Sequence, residues 1–232
     1  MAAAYRKYPL MFNFAFAMSI LPKLAAASVT TLYVTFSSFF LALVVGIPLA
    51  LLRRAKRPIV PRATTLIVDF VRGTPVLVQL FFLYFAMPGI GIRLSPIATG
   101  LITFSLHYGC YMSEVYRAGL EAVARGQWDA CVALSISRID TYRSIILPQA
   151  IQPIIPAAGN YLVHMFKETP LLASISVTEM MFVSAEIGAD TFRYLEPITV
   201  CGLLFLMMSL GASGLIRLTE RLYGRRWRRI WG

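Results

Sequence analysis

The stretch Gly126-Gln127-Trp128-Asp129-Ala130-Cys131, followed by Ile145-Ile146-Leu147-Pro148, is the centre of the longest polar interruption in an otherwise apolar chain. The interruption covers residues 119–156 and carries six charged side chains. Because a charge at the centre of a bilayer costs about 2.5–3.5 kcal/mol, we expect this segment to lie in water beside a membrane. Apolar side chains interleaved among the charges remain free to dock on another surface, although an ordinary cytoplasmic loop is the alternative.

The second half of this segment carries a helix start signal. Ser137 is followed three residues later by Asp140, which is a variant of the capping box with an acid at the third helical position. The sequence therefore predicts a helix, a turn near residues 135–137, and a second helix. A membrane segment is expected to follow from Leu147-Pro148.

Composition places the whole chain in the helical membrane class. Of its 232 residues, 58% are hydrophobic and only 14% are charged. A soluble domain this apolar would lack the polar surface that keeps it in solution. We therefore predict an all-α membrane protein.

The net charge of +11 comes from 22 Lys and Arg against 11 Asp and Glu. Taken alone, this excess would suit a nucleic-acid-binding protein. The bases cluster beside apolar spans, however, as the positive-inside rule expects, so no nucleic-acid partner is predicted. The three cysteines are widely spaced, and they form neither a disulfide framework nor a metal pattern.

Hydropathy and charge together predict about five transmembrane helices, with the N-terminus outside and the C-terminus inside. The bases of residues 53–62 and of the interruption fix those two loops in the cytoplasm. The predicted spans are Val29–Leu52, Ala63–Met87, Pro96–Tyr116, Ile151–Leu172 and Pro197–Leu218. A short helix is expected near residues 175–183.

These spans divide the chain into three parts. Residues 1–28 are expected to form an N-terminal interfacial segment, although Arg6 and Lys7 before an apolar run also resemble a signal peptide. Residues 29–222 form the transmembrane domain, which includes the cytoplasmic docking segment 119–149. Residues 223–232 form a basic, aromatic cytoplasmic tail that is expected to anchor at the membrane interface.

Polar residues inside the predicted spans are the candidate pathway. Asn160, His164, Lys167 and Glu168 lie on one broad face of the fourth span. Arg72 and Thr74 lie deep in the second span, beside a proline. Such residues usually face a cavity or a protein neighbour, although Lys167 and Glu168 also suit the outer end of a helix.

The docking segment resembles the cytoplasmic signature of permease subunits of ABC importers, which reads Glu-Ala-Ala, three residues, Gly, nine residues, Ile-x-Leu-Pro. Asp129-Ala130-Cys131 stands in the first block, Ser135 in the glycine position, and Ile145-Ile146-Leu147-Pro148 at the end. The spacing matches throughout. Asp129, Cys131 and Ser135 depart from the pattern, and Ser135 makes a left-handed turn more costly than glycine would.

Further stretches match the polar amino-acid class of these permeases, in the family's order from about Val29 to the C-terminus. They include Arg72-Gly73-Thr74-Pro75, Glu114-Val115-Tyr116-Arg117-Ala118-Gly119 and Lys167-Glu168-Thr169-Pro170. Within the class, the chain looks most like permeases for ectoine and related compatible solutes.

The resemblance implies the type I importer permease fold in a bacterial cytoplasmic (inner) membrane. It implies a separate ATPase dimer that carries ATP-Mg, a second identical or homologous permease subunit, and an external solute-binding protein. Solute contacts are implied around the fourth span, at Asn160, His164 and Glu168, with Thr74 and Arg72 as further candidates. The implied ATPase-docking residues are Gln127, Trp128, Asp129, Ala130, Leu134 and Ser135.

The chain has no Gly-x-x-x-x-Gly-Lys-Ser/Thr phosphate loop and no convincing catalytic triad, so we expect a transport subunit with no cofactor of its own. An ion-coupled carrier or channel subunit that uses Arg72, Glu114 and Glu168 as relay charges is one alternative, and a purely structural membrane subunit is another. Neither explains the docking segment. The identity of the solute and the composition of the dimer are left open by the sequence.

Overall fold

The computed structural model describes the chain from residue 12 to residue 231, with side chains to residue 224. Within that range the protein is all-helical. The helices are α1 (Phe14–Leu52), α2 (Ile59–Gly73), α3 (Val76–Phe81), α4 (Pro96–Glu121), α5 (Arg125–Ala133), α6 (Arg138–Asp140), α7 (Leu147–Glu168), α8 (Met180–Thr191) and α9 (Leu195–Trp231). Short π-helical or 3₁₀-helical segments extend three of these helices. The π-helical segments are Phe82–Ala86 after α3 and Thr141–Ile146 after α6, and the 3₁₀-helical segments are Met87–Ile90, which follows Phe82–Ala86, and Thr169–Ile175 after α7.

Helix α1 begins well before the predicted first span. Asn13 caps it by accepting a hydrogen bond from the Phe16 amide at 3.0 Å, and the helix then runs unbroken for 39 residues. Its first half packs through Leu24 against α8 and α9. No helix break marks the boundary expected at residue 28, so the interfacial role of the first segment stays a prediction. Arg6 and Lys7, on which the signal-peptide alternative rests, lie outside the described residues.

The predicted second span, Ala63–Met87, is not one straight helix. Thr74 adopts an extended backbone (φ −104°, ψ 140°), the conformation that a following proline favours. The axis changes direction by 100° between Ile59–Gly73 and Val76–Ile90. The proline at residue 75 thus separates α2 from α3 where the sequence analysis had joined them.

Helix α4 is the centre of the bundle, and α7 runs antiparallel to it. A Cβ on Gly119 would lie 2.5 Å from Ile154 and 2.9 Å from the Ala150 carbonyl oxygen, so this close approach requires glycine. A Cβ on Gly100 would lie 2.7 Å from the end of the Leu172 side chain, which would have to shift. The two contacts fix the register along nearly the whole length of α4. No break precedes the predicted start of a membrane segment at Leu147-Pro148, because Ile146 keeps a helical backbone (φ −80°, ψ −52°) and α7 continues directly from Thr141–Ile146. Helix α7 ends at Glu168, and the chain continues along α4 as a tighter helix to Ile175.

The last part of the chain also differs from the predicted boundaries. The short helix expected at residues 175–183 is α8, which begins at Met180 with Glu179 as its cap. Helix α9 continues from Leu195 to Trp231, without a break at residue 223 where the tail was expected to begin. The side chains of the last eight residues lie outside the description, so the interfacial-anchor prediction stays a prediction.

By length and composition, two helices in the described range are apolar enough to cross a membrane: α1 and the Leu195–Gly224 part of α9. Each of two bent pairs adds a crossing if it acts as one span, which gives two to four. The sequence predicted about five spans. The predicted span that does not meet this criterion lies in α4. This helix is 26 residues long, but it carries Thr, Ser, His and Tyr side chains that face the interior of the bundle and make it less apolar.

Candidate functional site

The docking segment is a helical hairpin whose turn depends on Ser135. This residue has a left-handed backbone (φ 52°) immediately after α5. The Ser135 amide donates to the Val132 carbonyl and the Ile136 amide donates to the Cys131 carbonyl, both at 3.0 Å. These are the two hydrogen bonds of a Schellman motif, in which glycine normally occupies the Ser135 position. The left-handed turn expected from the family pattern is therefore present despite the substitution.

The start of the second docking helix confirms the predicted cap. Ser137 Oγ accepts a hydrogen bond from the Asp140 amide at 3.1 Å. The Asp140 carboxylate in turn accepts from the Ser137 hydroxyl at 2.6 Å, rather than from the backbone amide that a full capping box would use.

The apolar side chains of the docking segment divide into two groups. Trp128 is half-buried, with its ring 5.5 Å from that of Tyr142, in a cluster with the buried side chains of Val123 and Ile146. The second group is exposed to solvent and consists of Val132 (79%), Leu134 (73%) and Ile139 (75%).

Among the other predicted docking residues, Gln127, Asp129, Ala130 and Ser135 are exposed as well. The structure thus links α5 to the start of α7 through Trp128, and it leaves a separate apolar surface open.

Glu114, near one end of α4, is the shared hydrogen-bond acceptor of three arginines. Its carboxylate accepts hydrogen bonds from Arg53, from Arg72 at 3.2 Å and from Arg117 at 2.9 Å. Asp69, which the sequence pairs with Arg72, lies 3.9 Å from it and is largely exposed. The principal partner of Arg72 is therefore Glu114, which ties the end of α1 and the end of α2 to α4.

A ladder of aromatic rings leads from Arg72 into the bundle. The Arg72 guanidinium lies 5.0 Å from the ring centre of Tyr111, in cation–π geometry. The Tyr111 ring lies 5.1 Å from that of Tyr161 and 6.1 Å from that of Tyr108. Tyr108 and Tyr111 belong to α4 and Tyr161 to α7. We call Tyr108, Tyr111 and Tyr161 the tyrosine ladder.

Glu168 lies at the other end of the tyrosine ladder. Its carboxylate accepts a hydrogen bond from the Tyr108 hydroxyl at 2.6 Å and makes no ion pair within the described part of the chain. Because Tyr108 is midway along α4, the Glu168 carboxylate contacts the middle of that helix. Glu168 is also the last residue of α7, as the alternative of a helix end expected.

The remaining pathway candidates lie around this arrangement. Asn160, His164 and Lys167 are exposed on α7, and the His164 ring is 6.5 Å from that of Tyr161. Thr74 lies in the bend between α2 and α3, where its hydroxyl accepts from the Gln79 side chain at 2.7 Å. Gln79 Oε1 is 3.2 Å from His107 Nδ1. Thr74 therefore stabilises the bend and contacts the ladder only through other residues.

The three tyrosines of the ladder, Gln79 and His107 were not among the residues that the sequence predicted for the pathway. The only signal for them was spacing, since His107, Tyr108, Tyr111 and Glu114 recur at helical intervals on one face of α4. Aromatic residues at this spacing are more often packing residues, so the pattern alone was not informative.

Comparison with known proteins places these features in a family. Residues 42–225 match the family described as the binding-protein-dependent transport system inner membrane component. A probable amino-acid ABC transporter permease protein, y4tG of Sinorhizobium fredii, is 40% identical over 89% of both chains. A putative glutamine transport system permease protein, GlnP of Rickettsia bellii, is 37% identical over 77% of this chain and 83% of its own.

A solved structure agrees with this relationship. The crystal structure of an amino acid ABC transporter with histidines superimposes with a TM-score of 0.86 at 28% identity, covering 91% of this chain and 99% of the other. The all-helical fold expected of a type I importer permease is thereby confirmed. The chain belongs to the family of inner-membrane components of binding-protein-dependent transport systems, as an ABC importer permease of the amino-acid transporter type.

Proposed function

We propose that this chain forms half of the membrane pathway of an ATP-driven importer for polar amino acids or related zwitterions, and that the solute moves along the tyrosine ladder. The observation that supports this most strongly is the pair of opposite charges at the two ends of the ladder. Arg72 offers a guanidinium beside Tyr111. Glu168 offers a carboxylate with a single neutral partner.

Charge complementarity explains how the ladder would accept a zwitterion. A solute with an ammonium or guanidinium group would give Glu168 the cation that the described residues do not supply. A solute carboxylate would compete with Glu114 for Arg72, and Glu114 would keep Arg53 and Arg117 as partners. Exchange of one charged hydrogen bond for another avoids leaving a charge unpaired in a low-dielectric site.

Exposed polar groups on α7 extend the proposed pathway. Asn160 lies about two turns and His164 about one turn before Glu168, and both would contact the solute as it moves. The tyrosine faces would hold its aliphatic or cationic parts. Ectoine, the compatible solute suggested by the sequence, stays one candidate among these zwitterions.

The docking segment would couple this pathway to a separate ATPase dimer. Val132, Leu134 and Ile139 would supply exposed apolar contacts, and Gln127, Asp129, Ala130 and Ser135 would add polar and backbone contacts. ATP-Mg would bind on the partner. Closure of the ATPase dimer would move α5, and the Trp128–Tyr142 contact would transmit that movement to α7.

The full assembly would contain a second permease subunit and a solute-binding protein, in a bacterial inner membrane. A second subunit is needed because the spans of one chain are too few to enclose a pathway. The central bundle would then switch between inward-open and outward-open states as ATP binds and is hydrolysed.

The test is solute uptake by the complex reconstituted with its ATPase and solute-binding protein, using a panel of labelled amino acids and ectoine. We expect uptake of at least one solute to require ATP and to stop when the ATPase loses its catalytic base. Uptake that continues in that variant, and that follows an imposed proton or sodium gradient instead, would establish the ion-coupled carrier.

A further inference from the structure

Helix α2 has an apolar face that points away from the protein. Ile59, Leu66 and Phe70 lie within about 40° of one another around the helix, and all three are exposed. The buried side chains of Thr64 and Val68 lie on the opposite side, toward α1 and α4. Protein therefore covers one side of α2, and something else must cover the other.

Contacts at its two ends show how α2 lies relative to the bundle. Arg72, at the end of α2, contacts Glu114, as does Arg53 at the end of α1. Beyond the bend, Gln79 of α3 reaches His107, two turns farther along α4. Helix α3 thus runs along α4 into the bundle.

Since the axis turns by 100° between α2 and α3, α2 lies across the end of the bundle that holds Glu114. Its 15 residues span about 22 Å, which is too short to cross the hydrocarbon core.

Four basic residues lie just before α2 or in its first turn. Arg54, Lys56, Arg57 and Arg62 are all exposed, and none of them forms an ion pair within the described part of the chain. Arg62 lies about 60° around the helix from Ile59, at the edge of the apolar face. It also lines an open groove of about 400 Å³ together with Pro61, Thr65, Leu66 and Asp69.

We propose that α2 is an interfacial helix that inserts Ile59, Leu66 and Phe70 among the acyl chains of the cytoplasmic leaflet and binds anionic phospholipid head groups through Arg54, Lys56, Arg57 and Arg62. An in-plane amphipathic helix with bases at its edge is the arrangement that recognises an anionic membrane surface. Because Arg72 ends this helix and contacts Glu114, lipid binding would act on the entrance to the tyrosine ladder. The proposal depends on the membrane location of the family and not on the identity of the solute.

The first test measures how deep the residues of α2 lie in the membrane. Nitroxide labels at single cysteines replacing Ile59, Leu66 or Phe70, in a cysteine-free chain within the full complex, report depth through oxygen and water-soluble relaxants. An in-plane helix predicts one shared depth for the three labels, just below the lipid phosphates. A crossing helix would instead separate the labels at residues 59 and 70 by about 16 Å in depth, which would overturn the proposal.

The second test measures lipid selectivity with spin-labelled phosphatidylglycerol in phosphatidylcholine vesicles that contain the complex. Arg62→Gln should weaken the association of phosphatidylglycerol about fivefold, because each base near the surface contributes roughly that factor. The variant with all four bases changed to Gln should show no preference for phosphatidylglycerol over phosphatidylcholine. Arg93→Gln, which removes an exposed base from the α3–α4 connection, is the matched control and should leave the preference unchanged.

Three results would contradict the proposal. An unchanged phosphatidylglycerol preference in the fourfold variant would show that these bases do not bind lipid. An equal loss in Arg93→Gln would show a general charge effect. Labels at Leu66 and Phe70 that are shielded from oxygen and coupled to the same labels on a second permease subunit would identify this face as a protein interface.

Discussion

The docking segment and the tyrosine ladder differ in how they are assembled. The docking segment is local: Trp128, Ser135, Ser137 and Tyr142 fall within fifteen residues and meet through short-range contacts. The tyrosine ladder joins Tyr111 of α4 to Tyr161 of α7, and Arg72 of α2 contacts its end at Tyr111. A site of the first kind can be read as a continuous motif, whereas a site of the second kind exists only after the helices have packed.

Glu168→Gln should have the largest effect, because it removes the one carboxylate at the inner end of the ladder. We expect uptake to fall about a hundredfold, the upper range for loss of a charged hydrogen bond. The measurement is ATP-dependent uptake by the reconstituted complex, with assembly checked by size-exclusion chromatography.

Three further variants show whether that result is specific. Lys167→Gln changes the exposed neighbour and should have a smaller effect, and Asn160→Ala should fall between the two. Tyr108→Phe removes the hydroxyl that donates to Glu168 but keeps the ring and the carboxylate. If Glu168→Gln and Asn160→Ala both transport every solute at the parental rate, the ladder is packing surface.

Glu114→Gln tests the charge cluster that joins the ladder to α1 and α2. It leaves three arginines without their shared carboxylate, so we expect a loss of about 2 kcal/mol in stability. Thermal unfolding of the detergent-solubilised permease measures it.

Glu121→Gln is the matched control, since Glu121 is largely exposed and pairs only with Arg117 in the described structure. It should cost less than about 0.5 kcal/mol. Equal losses in the two variants would show that Glu114 is not the centre of this cluster.

The sequence predicted the all-helical class and the docking hairpin, because hydropathy, capping and the permease signature are encoded in neighbouring residues. It named Arg72 and Glu168 as pathway candidates, and that role stays a prediction. It could not show that Arg72 contacts Tyr111 and Glu168 contacts Tyr108 in one tyrosine ladder, since this depends on the register of α4 against α7. It also joined α2 to α3, although a residue before proline favours an extended backbone, as Thr74 shows.

Leu134→Asp tests whether the exposed surface of the docking segment binds the ATPase. Loss of an apolar contact at the centre of an interface commonly costs 2 kcal/mol or more, so uptake should fall at least about tenfold. Asp129→Arg on the same hairpin should also uncouple transport from ATP hydrolysis.

Trp128→Ala serves as the comparison, because Trp128 packs inside the hairpin. It should lower the stability of the permease, which Leu134→Asp should not. Pull-down of the ATPase by each variant separates the two effects. Full ATPase binding and full solute-stimulated ATP hydrolysis with Leu134→Asp would show that this part of the docking segment does not contact the ATPase.

Ser135→Gly should have the smallest effect. Glycine adopts the left-handed conformation of this position without the Cβ penalty, so we expect a gain of up to about 1 kcal/mol with the Schellman hydrogen bonds retained. Ser137→Ala, which removes the cap two residues later, should cost about 1 kcal/mol. Thermal unfolding of both variants shows whether each one gains or loses stability. A loss of stability in Ser135→Gly would contradict the role assigned to this turn.

The most direct test of the central claim is a structure of the reconstituted complex with its transported solute bound. The account predicts solute density against Tyr111 and Tyr161, with its cationic group at Glu168 and its carboxylate turned toward Arg72. Well-resolved density elsewhere in the membrane region, with Glu168 still bound only to Tyr108 and Arg72 still paired with Glu114, would contradict it.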